Sequence, residues 1–95
     1  MPDTTRITIR YCTRCNWLLR AAWLAQELLS TFGDTLGEVT LIPDGTGGVF
    51  EIRVNGQLVW ERRRDSGFPD SKTLKQIVRD IVDPDRDMGH VDSPR

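Results

Sequence analysis

The stretch RITIRYCTRCNWLLRAAWLAQELL, residues 6–29, changes its hydrophobic period at the only two cysteines of the chain. Before them, residues 6–11 alternate apolar with polar side chains, which is the period of two expected of a half-buried strand. After them, residues 16–32 place apolar side chains at helical spacing, over so wide an arc that the helix must pack on a sheet. Cys12 and Cys15 are therefore predicted to lie where a strand passes into a helix.

The ends of this helix carry local signals of their own. Thr13 is a candidate N-cap, because its hydroxyl group can accept a hydrogen bond from a free N–H group of the first turn. Gly33 is the expected stop.

The middle of the chain predicts three more strands. Residues 38–42 form a strand that ends at Pro43, and the glycine-rich sequence that follows has the composition of a turn. Runs over residues 49–54 and 57–62 flank an Asn-Gly pair. This pair is the strongest local hairpin signal, because both positions of its turn need a positive φ.

The two-residue turn also predicts the register of the hairpin. Ile52 is expected to face Val59, while Leu58 and Trp60 point to the opposite face of the sheet.

A second helix follows the sequence GFPDS, residues 67–71. Asp70 or Ser71 is the expected N-cap, and Leu74 starts an apolar stripe at i, i+3, i+4, i+7 and i+8. Pro84 ends the helix.

The element order is β-α-β-β-β-α, which predicts a small α/β sandwich. The first helix joins two parallel strands by a crossover that is expected to be right-handed. The antiparallel hairpin extends these strands into a mixed four-stranded sheet, on which both helices pack. The Cys12-x-x-Cys15 motif then lies at the carboxyl end of the first strand, where open α/β sheets usually carry their chemistry.

Length and charge exclude several classes of protein. Ninety-five residues suffice for one domain, which we assign to residues 1–83, with residues 84–95 as a polar and flexible tail. Thirteen basic and fourteen acidic residues nearly cancel, so the chain lacks the electrostatic footprint of a nucleic-acid binder. We interpret the basic run of residues 62–64 as a solvated strand end.

The sequence also gives an expectation of where the protein works. No apolar run approaches the roughly 20 residues that span a bilayer, and the start of the chain has no signal-peptide pattern. We therefore expect a cytoplasmic protein without a membrane partner, in a compartment where structural disulfides are rare.

The spacing of the two cysteines favours a reversible dithiol switch. Free N–H groups and aligned peptide dipoles make a helix N-terminus electropositive by about half a charge, and such an environment lowers the pKa of a thiol. Arg14 adds a positive charge between the sulfurs. One thiolate can attack a target to form a mixed disulfide, and the second can resolve it.

Two other interpretations of the cysteines stay open. They can be a pair that simply packs against the core. Alternatively, CxxC is half of a structural zinc site. His90 is the only histidine, so one chain is short of ligands and we expect no metal site within it, but two chains that share their motifs would supply four ligands.

Aromatic and proline residues are candidate supports of the motif. Trp17 closely follows Cys15 and can shield the sulfurs from water. Phe68-Pro69 precedes the second helix, and a proline loop beside a dithiol can limit metal access or hold an extended peptide. Core packing of Trp17 and initiation of the helix by Phe68-Pro69 are the structural alternatives.

These motifs together resemble a known family. The chain carries I-x-Y-C-x-x-C at residues 9–15, then NWLLRAAWLAQELL, FEIRV, GFPDSKTLKQIVRD and DPDRDMGH in that order. From Arg6 to His90 it resembles the selenoprotein W-related group, the SelT/SelW/SelH or Rdx family of thioredoxin-like proteins. The resemblance implies a thioredoxin-like fold and a redox function through Cys12 and Cys15.

The resemblance also implies the partners and the roles of the sulfurs. It implies protein thiol partners, glutathione as a co-substrate, no bound cofactor and a role in cell redox homeostasis. In animal relatives selenocysteine stands where this chain has Cys15, which favours Cys15 as the attacking sulfur. Thioredoxin-like proteins attack with the N-terminal sulfur, and on that ground we prefer Cys12.

Two functions of different classes fit these residues. The first is a thiol–disulfide oxidoreductase that passes electrons between small thiols and a protein partner. The second is a non-catalytic interaction domain whose dithiol state controls docking. An open sheet edge would allow a weak homodimer as well as a monomer.

Overall fold

The computed structural model describes residues 5–86, and its elements follow the predicted order. The bounds are β1 Arg6–Cys12, a 3-10 turn Thr13–Cys15, α1 Leu18–Phe32, β2 Glu38–Asp44, β3 Phe50–Val54, β4 Gln57–Glu61 and α2 Ser71–Val82. The predicted α/β sandwich is confirmed, and it is consistent with a thioredoxin-like fold. Neither helix of this part of the chain is long and apolar enough to cross a membrane.

β1 is an interior strand of a mixed sheet with the order β2-β1-β3-β4. It pairs in parallel with β2 and antiparallel with β3, and β4 extends the sheet from β3 as the predicted hairpin. Because α1 connects two adjacent parallel strands, β1, α1 and β2 form the predicted βαβ unit. The outer strands β2 and β4 are the edges of the sheet.

One face of the sheet forms the hydrophobic core with both helices. Alternate residues of β1 and β3 are buried on this face, as the period of two predicts. The core consists of Ile7, Ile9, Tyr11, Ala21, Leu24, Ala25, Leu28, Phe32, Leu36, Phe50, Ile52, Val54, Leu74 and Val78. Because these side chains come from two strands and two helices, the core holds α1 and α2 on the same side of the sheet.

The other face of the sheet is polar. Arg10 of β1 ion-pairs with Asp44 of β2 at 3.1 Å and with Glu51 of β3 at 3.6 Å, and Arg53 approaches Glu51 at 3.5 Å. The pairs cross three neighbouring strands. Partly exposed ion pairs of this kind contribute about 0–1 kcal/mol each, so the apolar layer on the opposite face supplies most of the stability.

β2 continues beyond its predicted end. It runs to Asp44 and includes Pro43, which pairs with Tyr11 of β1. The prediction that Pro43 ends the strand is therefore wrong. Proline lacks the N–H group of a strand ladder, and an edge strand tolerates it because only one of its sides must pair.

The hairpin of β3 and β4 has a different register from the prediction. A bulge between Ile52 and Arg53 shifts the ladder, so that Ile52 faces Trp60 instead of Val59. Trp60 packs against the core rather than pointing away from it, and its indole N–H donates to the carbonyl of Gly67 at 2.9 Å. Bulges re-aim side chains in this way, and the turn sequence alone does not predict one.

The structure describes only the first three residues of the predicted tail, residues 84–95. Arg86 is held by the end of α1, because its guanidinium donates to the carbonyl of Thr31 at 2.7 Å and ion-pairs with Asp34 at 3.1 Å. The flexibility predicted for residues 87–95 lies outside the described residues.

α2 begins at one of its two predicted caps. Asp70 is the N-cap, and its carboxylate accepts a hydrogen bond from the N–H of Thr73 at 2.7 Å. This bond satisfies one of the free N–H groups at the start of the helix. Leu74 and Val78 on the inner face of α2 are buried in the core.

Replacing the cap tests this description of α2. We expect Asp70→Ala to lower the free energy of unfolding by about 0.5–2 kcal/mol, because an N–H group of the first turn loses its acceptor. Chemical denaturation followed by circular dichroism measures the change. Asp85→Ala removes an exposed carboxylate beyond α2 and serves as the control. An equal loss of stability in both variants would contradict the capping role.

Candidate functional site

The two cysteines form a disulfide at the carboxyl end of β1. Cys12 is the last residue of the strand, and its N–H donates to the carbonyl of Val49 at 2.8 Å. The 3-10 turn then brings Cys15 back, so that the two Cα atoms lie 5.5 Å apart. This separation is usual for a disulfide. The predicted position of the motif, at the end of the first strand, is confirmed.

The motif lies before α1 and not on its first turn. Asn16 follows the 3-10 turn in the left-handed region with φ 59°, a conformation that asparagine tolerates better than most residues. α1 starts only at Leu18, with Trp17 as a cap that makes no side-chain hydrogen bond. The predicted helix start at residue 16 is wrong. The electrostatic effect of the helix dipole falls off within the first turn. Because the cysteines precede that turn, they lie outside the region where the dipole stabilises a thiolate most strongly.

Thr13 does not cap α1. Its hydroxyl group donates to the carbonyl of Asp44 at 3.3 Å instead, and so joins the 3-10 turn to the end of β2. The capping prediction is wrong because the turn separates Thr13 from the helix. Thr13 still supports the motif, since it ties the segment between the cysteines to the neighbouring strand.

Only one of the two sulfurs belongs to a residue with access to solvent. Cys12 is 0% exposed, whereas Cys15 is partly exposed. A molecule that approaches the disulfide therefore meets Cys15 first. The two cysteines thus differ in exposure, while the order of attack, for which the sequence analysis prefers Cys12, stays a prediction.

Three aromatic rings pack edge to face beside the motif. The ring centroids of Trp17 and Phe68 are 4.9 Å apart, and Phe50 of β3 lies 5.0 Å from Phe68. Trp17 and Phe68 are half-buried, and Pro69, the residue after Phe68, is buried. The structure thus brings together the predicted supports Trp17 and Phe68. The sequence analysis missed Phe50 as a member of this cluster, because only its pairing with β1 places it there.

Arginine side chains cover these rings. The guanidinium of Arg20 lies 4.1 Å from the ring centroid of Phe68, and that of Arg62 lies 5.1 Å from the ring of Trp17. Arg62 also donates from Nε to the carbonyl of Gly48 at 3.2 Å. Interpreting residues 62–64 as a solvated strand end is therefore wrong for Arg62. No local signal reveals these contacts, because their partners are distant in sequence.

Gly48 allows the arginines to approach the turn between β2 and β3. Its φ is +83°, and a Cβ atom there would lie 2.9 Å from Nη2 of Arg63 and 3.3 Å from Nη2 of Arg62. Arg63 donates to the carbonyl of Gly47 at 3.4 Å. Arg14, between the cysteines, is exposed. The motif is thus bordered by basic residues from three parts of the chain.

Asp44 organises the opposite side of the motif. Its carboxylate accepts a bond from the N–H of Thr46 at 2.7 Å and pairs with Arg10 at 3.1 Å, while its carbonyl accepts the bond from Thr13. The hydrogen bond from the backbone of Thr46 is the main cause of a lowered pKa of the Asp44 carboxyl group, and Arg10 adds to it. Asp44 therefore links the charged face of the sheet to the turn that carries the cysteines.

Comparison with known proteins identifies the family. A model described as the Rdx family matches residues 6–80. The chain belongs to the Rdx family. The match includes both cysteines, the aromatic cluster and most of α2, so it covers the fold as well as the motif.

Solved structures agree with this assignment. A selenoprotein W-related protein from Vibrio cholerae is 54% identical, with a TM-score of 0.82 over 85% of this chain and 100% of that one. A protein from Bordetella parapertussis is 66% identical, with a TM-score of 0.78 over 80% of this chain and 95% of that one.

Animal proteins are more distant relatives of this Rdx protein. Migration and invasion enhancer 1 from Bos taurus is 34% identical over 78% of this chain and 62% of its own length. The mouse protein of the same name is 33% identical over 77% of this chain and 61% of its own length. The chain thus spans about three-fifths of the length of these curated relatives.

Family membership and the disulfide together support a redox role. The two cysteines of this Rdx protein are already joined in the structure, and Cys15 is within reach of solvent. Within residues 5–86, no group of three or more His, Cys, Asp or Glu side chains is placed to hold a metal ion. His90, the histidine of the zinc interpretation, lies outside the described residues.

Acid titration tests the role of Asp44. Its pKa is lower in the folded protein than the ordinary value of 3.8, so the ionised form stabilises the fold above that pH, and the contribution disappears as the pH falls through the folded pKa. We expect the difference in stability between the native protein and Asp44→Asn to be constant from about pH 5 to 7 and to shrink below about pH 4. Denaturation midpoints measured across this range give the difference. A difference that stays constant down to about pH 2 would contradict this role.

Proposed function

We propose that this protein is a thiol–disulfide redox protein that exchanges electrons between small thiols or partner proteins through the Cys12–Cys15 couple. The observation that carries the proposal is the difference in exposure across one disulfide. Cys15 is a partly exposed residue, whereas Cys12 is buried and its sulfur is bonded to that of Cys15. Access is one of the factors that decide which sulfur of a disulfide is attacked, so this difference favours exchange at Cys15 with Cys12 as the resolving sulfur.

The reaction runs through a mixed disulfide at Cys15. In the reductive direction, a thiolate attacks the sulfur of Cys15, the Cys12–Cys15 bond breaks, and Cys12 leaves as a thiolate that takes up a proton. A second thiolate then attacks the substrate sulfur of the mixed disulfide and frees Cys15. Two thiols become one disulfide, and the protein gains two electrons and two protons. The reverse sequence reduces a disulfide of the partner.

The surrounding residues position the couple and do not take part in the bond exchange. Trp17 and Phe68 pack against each other next to the motif, and the hydrogen bond of Thr13 fixes the turn to β2. Glutathione as co-substrate, protein thiols as partners and a place in cytoplasmic redox homeostasis belong to this proposal. It needs no bound cofactor, because the sulfurs carry the electrons.

An interaction domain under redox control is the second candidate function. The observation in its favour is apolar exposure on α1 beside the motif: Leu18 is 47% exposed, Leu19 80% and Trp23 49%. The affinity of a partner docked on these side chains would depend on whether the adjacent turn is closed by a disulfide. Turnover distinguishes the two functions, since a docking domain does not accelerate disulfide reduction.

Serine variants test the proposal and the order of attack. Catalytic amounts of the native protein should accelerate disulfide reduction coupled to glutathione. Cys15→Ser should abolish the turnover, and Cys12→Ser should lower it, because only an external thiol can then release the adduct at Cys15. With oxidised glutathione, reduced Cys12→Ser should form a stable adduct at Cys15, detected by mass spectrometry, because the resolving sulfur is gone. Cys15→Ser should form its adduct much more slowly, since Cys12 is buried. The opposite order of adduct formation would make Cys12 the attacking sulfur, and a native protein that neither turns over nor forms adducts would refute the function.

The reduction potential gives an independent test. We expect the Cys12–Cys15 couple to equilibrate with glutathione buffers at roughly −200 to −270 mV, the range of cellular exchange proteins. Mass spectrometry after alkylation of free thiols measures the ratio of the two states. A potential below about −300 mV would indicate an inert structural bridge.

A further inference from the structure

We propose that four arginines around the motif form a docking surface for an acidic segment of the protein partner, next to the cysteine that exchanges with Cys15. The arginine rim, as we name it, consists of Arg14, Arg20, Arg62 and Arg63. This inference rests on the proposed function and specifies the class of its substrate.

Contacts across the fold connect the rim to the segment that follows the disulfide. Trp17 follows Cys15 by two residues, and the guanidinium of Arg62 lies over its ring. The ring of Phe68 packs against Trp17, and the guanidinium of Arg20 lies over it. Arg14 lies between the two sulfurs in sequence.

The turn between β2 and β3 closes the rim on the side of Cys12. Arg62 and Arg63 donate to the carbonyls of Gly48 and Gly47, and the next residue along, Val49, accepts the N–H of Cys12. The rim therefore reaches the motif through β3 as well as through the start of α1.

The charges of the rim are only partly offset by carboxylates within residues 5–86. None of the four guanidinium groups has an ion pair there, whereas arginines of the polar sheet face do, as Arg10 does with Asp44 and Arg53 with Glu51. Glu61 is close to the rim. Hydrogen bonds from the backbone N–H groups of Arg64 and Arg63 are the main cause of the lowered pKa of its carboxyl group, and the charges of Arg63 and Arg62 lower it further, so Glu61 offsets part of the charge of the rim. A local excess of one charge attracts oppositely charged partners and raises their rate of association.

The aromatic rings preorganise two of these arginines, Arg20 and Arg62, for binding an anion. A guanidinium that lies on a ring has one edge free, and its planar fork of N–H donors matches a carboxylate. Arg62 is held further by its bond to Gly48. Because the ring and the carbonyl already restrict these side chains, less conformational entropy is lost when an acidic group binds.

The exposed side chains of α1 argue for a protein segment rather than a small anion. Leu19 and Trp23 are one helical turn apart and flank Arg20 in sequence, and they are 80% and 49% exposed. Apolar surface next to the rim gives contact area to a chain that continues past its cysteine. Four cations can also engage more carboxylates than a small thiol carries.

Cysteine peptides of different charge test the inference. The peptides are matched in length and carry four Glu, one Glu, four Gln or four Lys residues around a single cysteine. Each reduces the oxidised protein under stopped flow, and the rate is expressed per thiolate, because neighbouring charges change the pKa of the peptide thiol. We expect the four-Glu peptide to react about tenfold faster than the four-Lys peptide at low salt, and this advantage to shrink as salt screens the charges.

Charge-removing variants locate the effect. Arg20→Gln and Arg62→Gln together should reduce the preference for the acidic peptide several-fold, while Arg6→Gln and Arg53→Gln together should leave it unchanged. The control pair removes the same charge from the polar face of the sheet, away from the aromatic cluster. Arg14→Gln alone, at an exposed position, should also reduce the preference, and it keeps the test valid if the Arg62 variant unfolds.

The outcomes separate this inference from the function on which it rests. If no peptide exchanges with the disulfide, the proposed function fails. If all peptides exchange at equal rates per thiolate, or if the control pair has the same effect as the rim variants, the docking surface is refuted and the redox function stands. If the four-Glu peptide reacts no faster than the one-Glu peptide, the occupant is a small anionic thiol and the protein segment is refuted.

Discussion

The structure depends on the position of β1 between β2 and β3. This strand is paired on both sides, buries alternate side chains against both helices, and ends at Cys12, whose N–H is still bonded to the carbonyl of Val49. The sheet thus fixes the buried sulfur. Cys15 lies on a short turn outside the sheet, and the difference in exposure between the two sulfurs follows from this division.

Packing beside the motif joins segments that are distant in the chain. Trp17 follows the cysteines, Phe50 begins β3, and Phe68 precedes α2, yet their rings meet edge to face. Edge-to-face pairs contribute about 0.5–1.5 kcal/mol each beyond the area they bury. The cluster therefore ties the turn of the disulfide to the loop before α2, and gives the arginines a fixed surface on which to lie.

Charge is distributed unequally over a chain whose net charge is only −1. On the polar face of the sheet, arginines alternate with carboxylates and are largely neutralised. Beside the disulfide, arginines lie on aromatic rings and backbone carbonyls instead. Overall composition cannot reveal this difference, because it depends on which side chains the fold brings together.

The sequence by itself determined the element order, the mixed sheet, the start of α2 with its cap at Asp70 or Ser71, and the place of the motif at the end of β1. These features depend on local periodicity, on turn chemistry or on a resemblance that extends along most of the chain. Local signals were less reliable at the junction itself. Asn16 in the left-handed region and the bond from Thr13 to Asp44 delay the helix, and the second of these involves a residue of another strand.

Only the tertiary structure decided the hairpin register, the exposure of each sulfur and the surroundings of the motif. The bulge beside Ile52 turns Trp60 to the core, and the pairing of β1 with β3 brings Phe50 and the glycine turn to the cysteines. Arg62 then reaches Trp17, from which it is separated by most of the domain in sequence. Periodicity reports which face of an element is buried, but it holds no information on which distant side chains meet there.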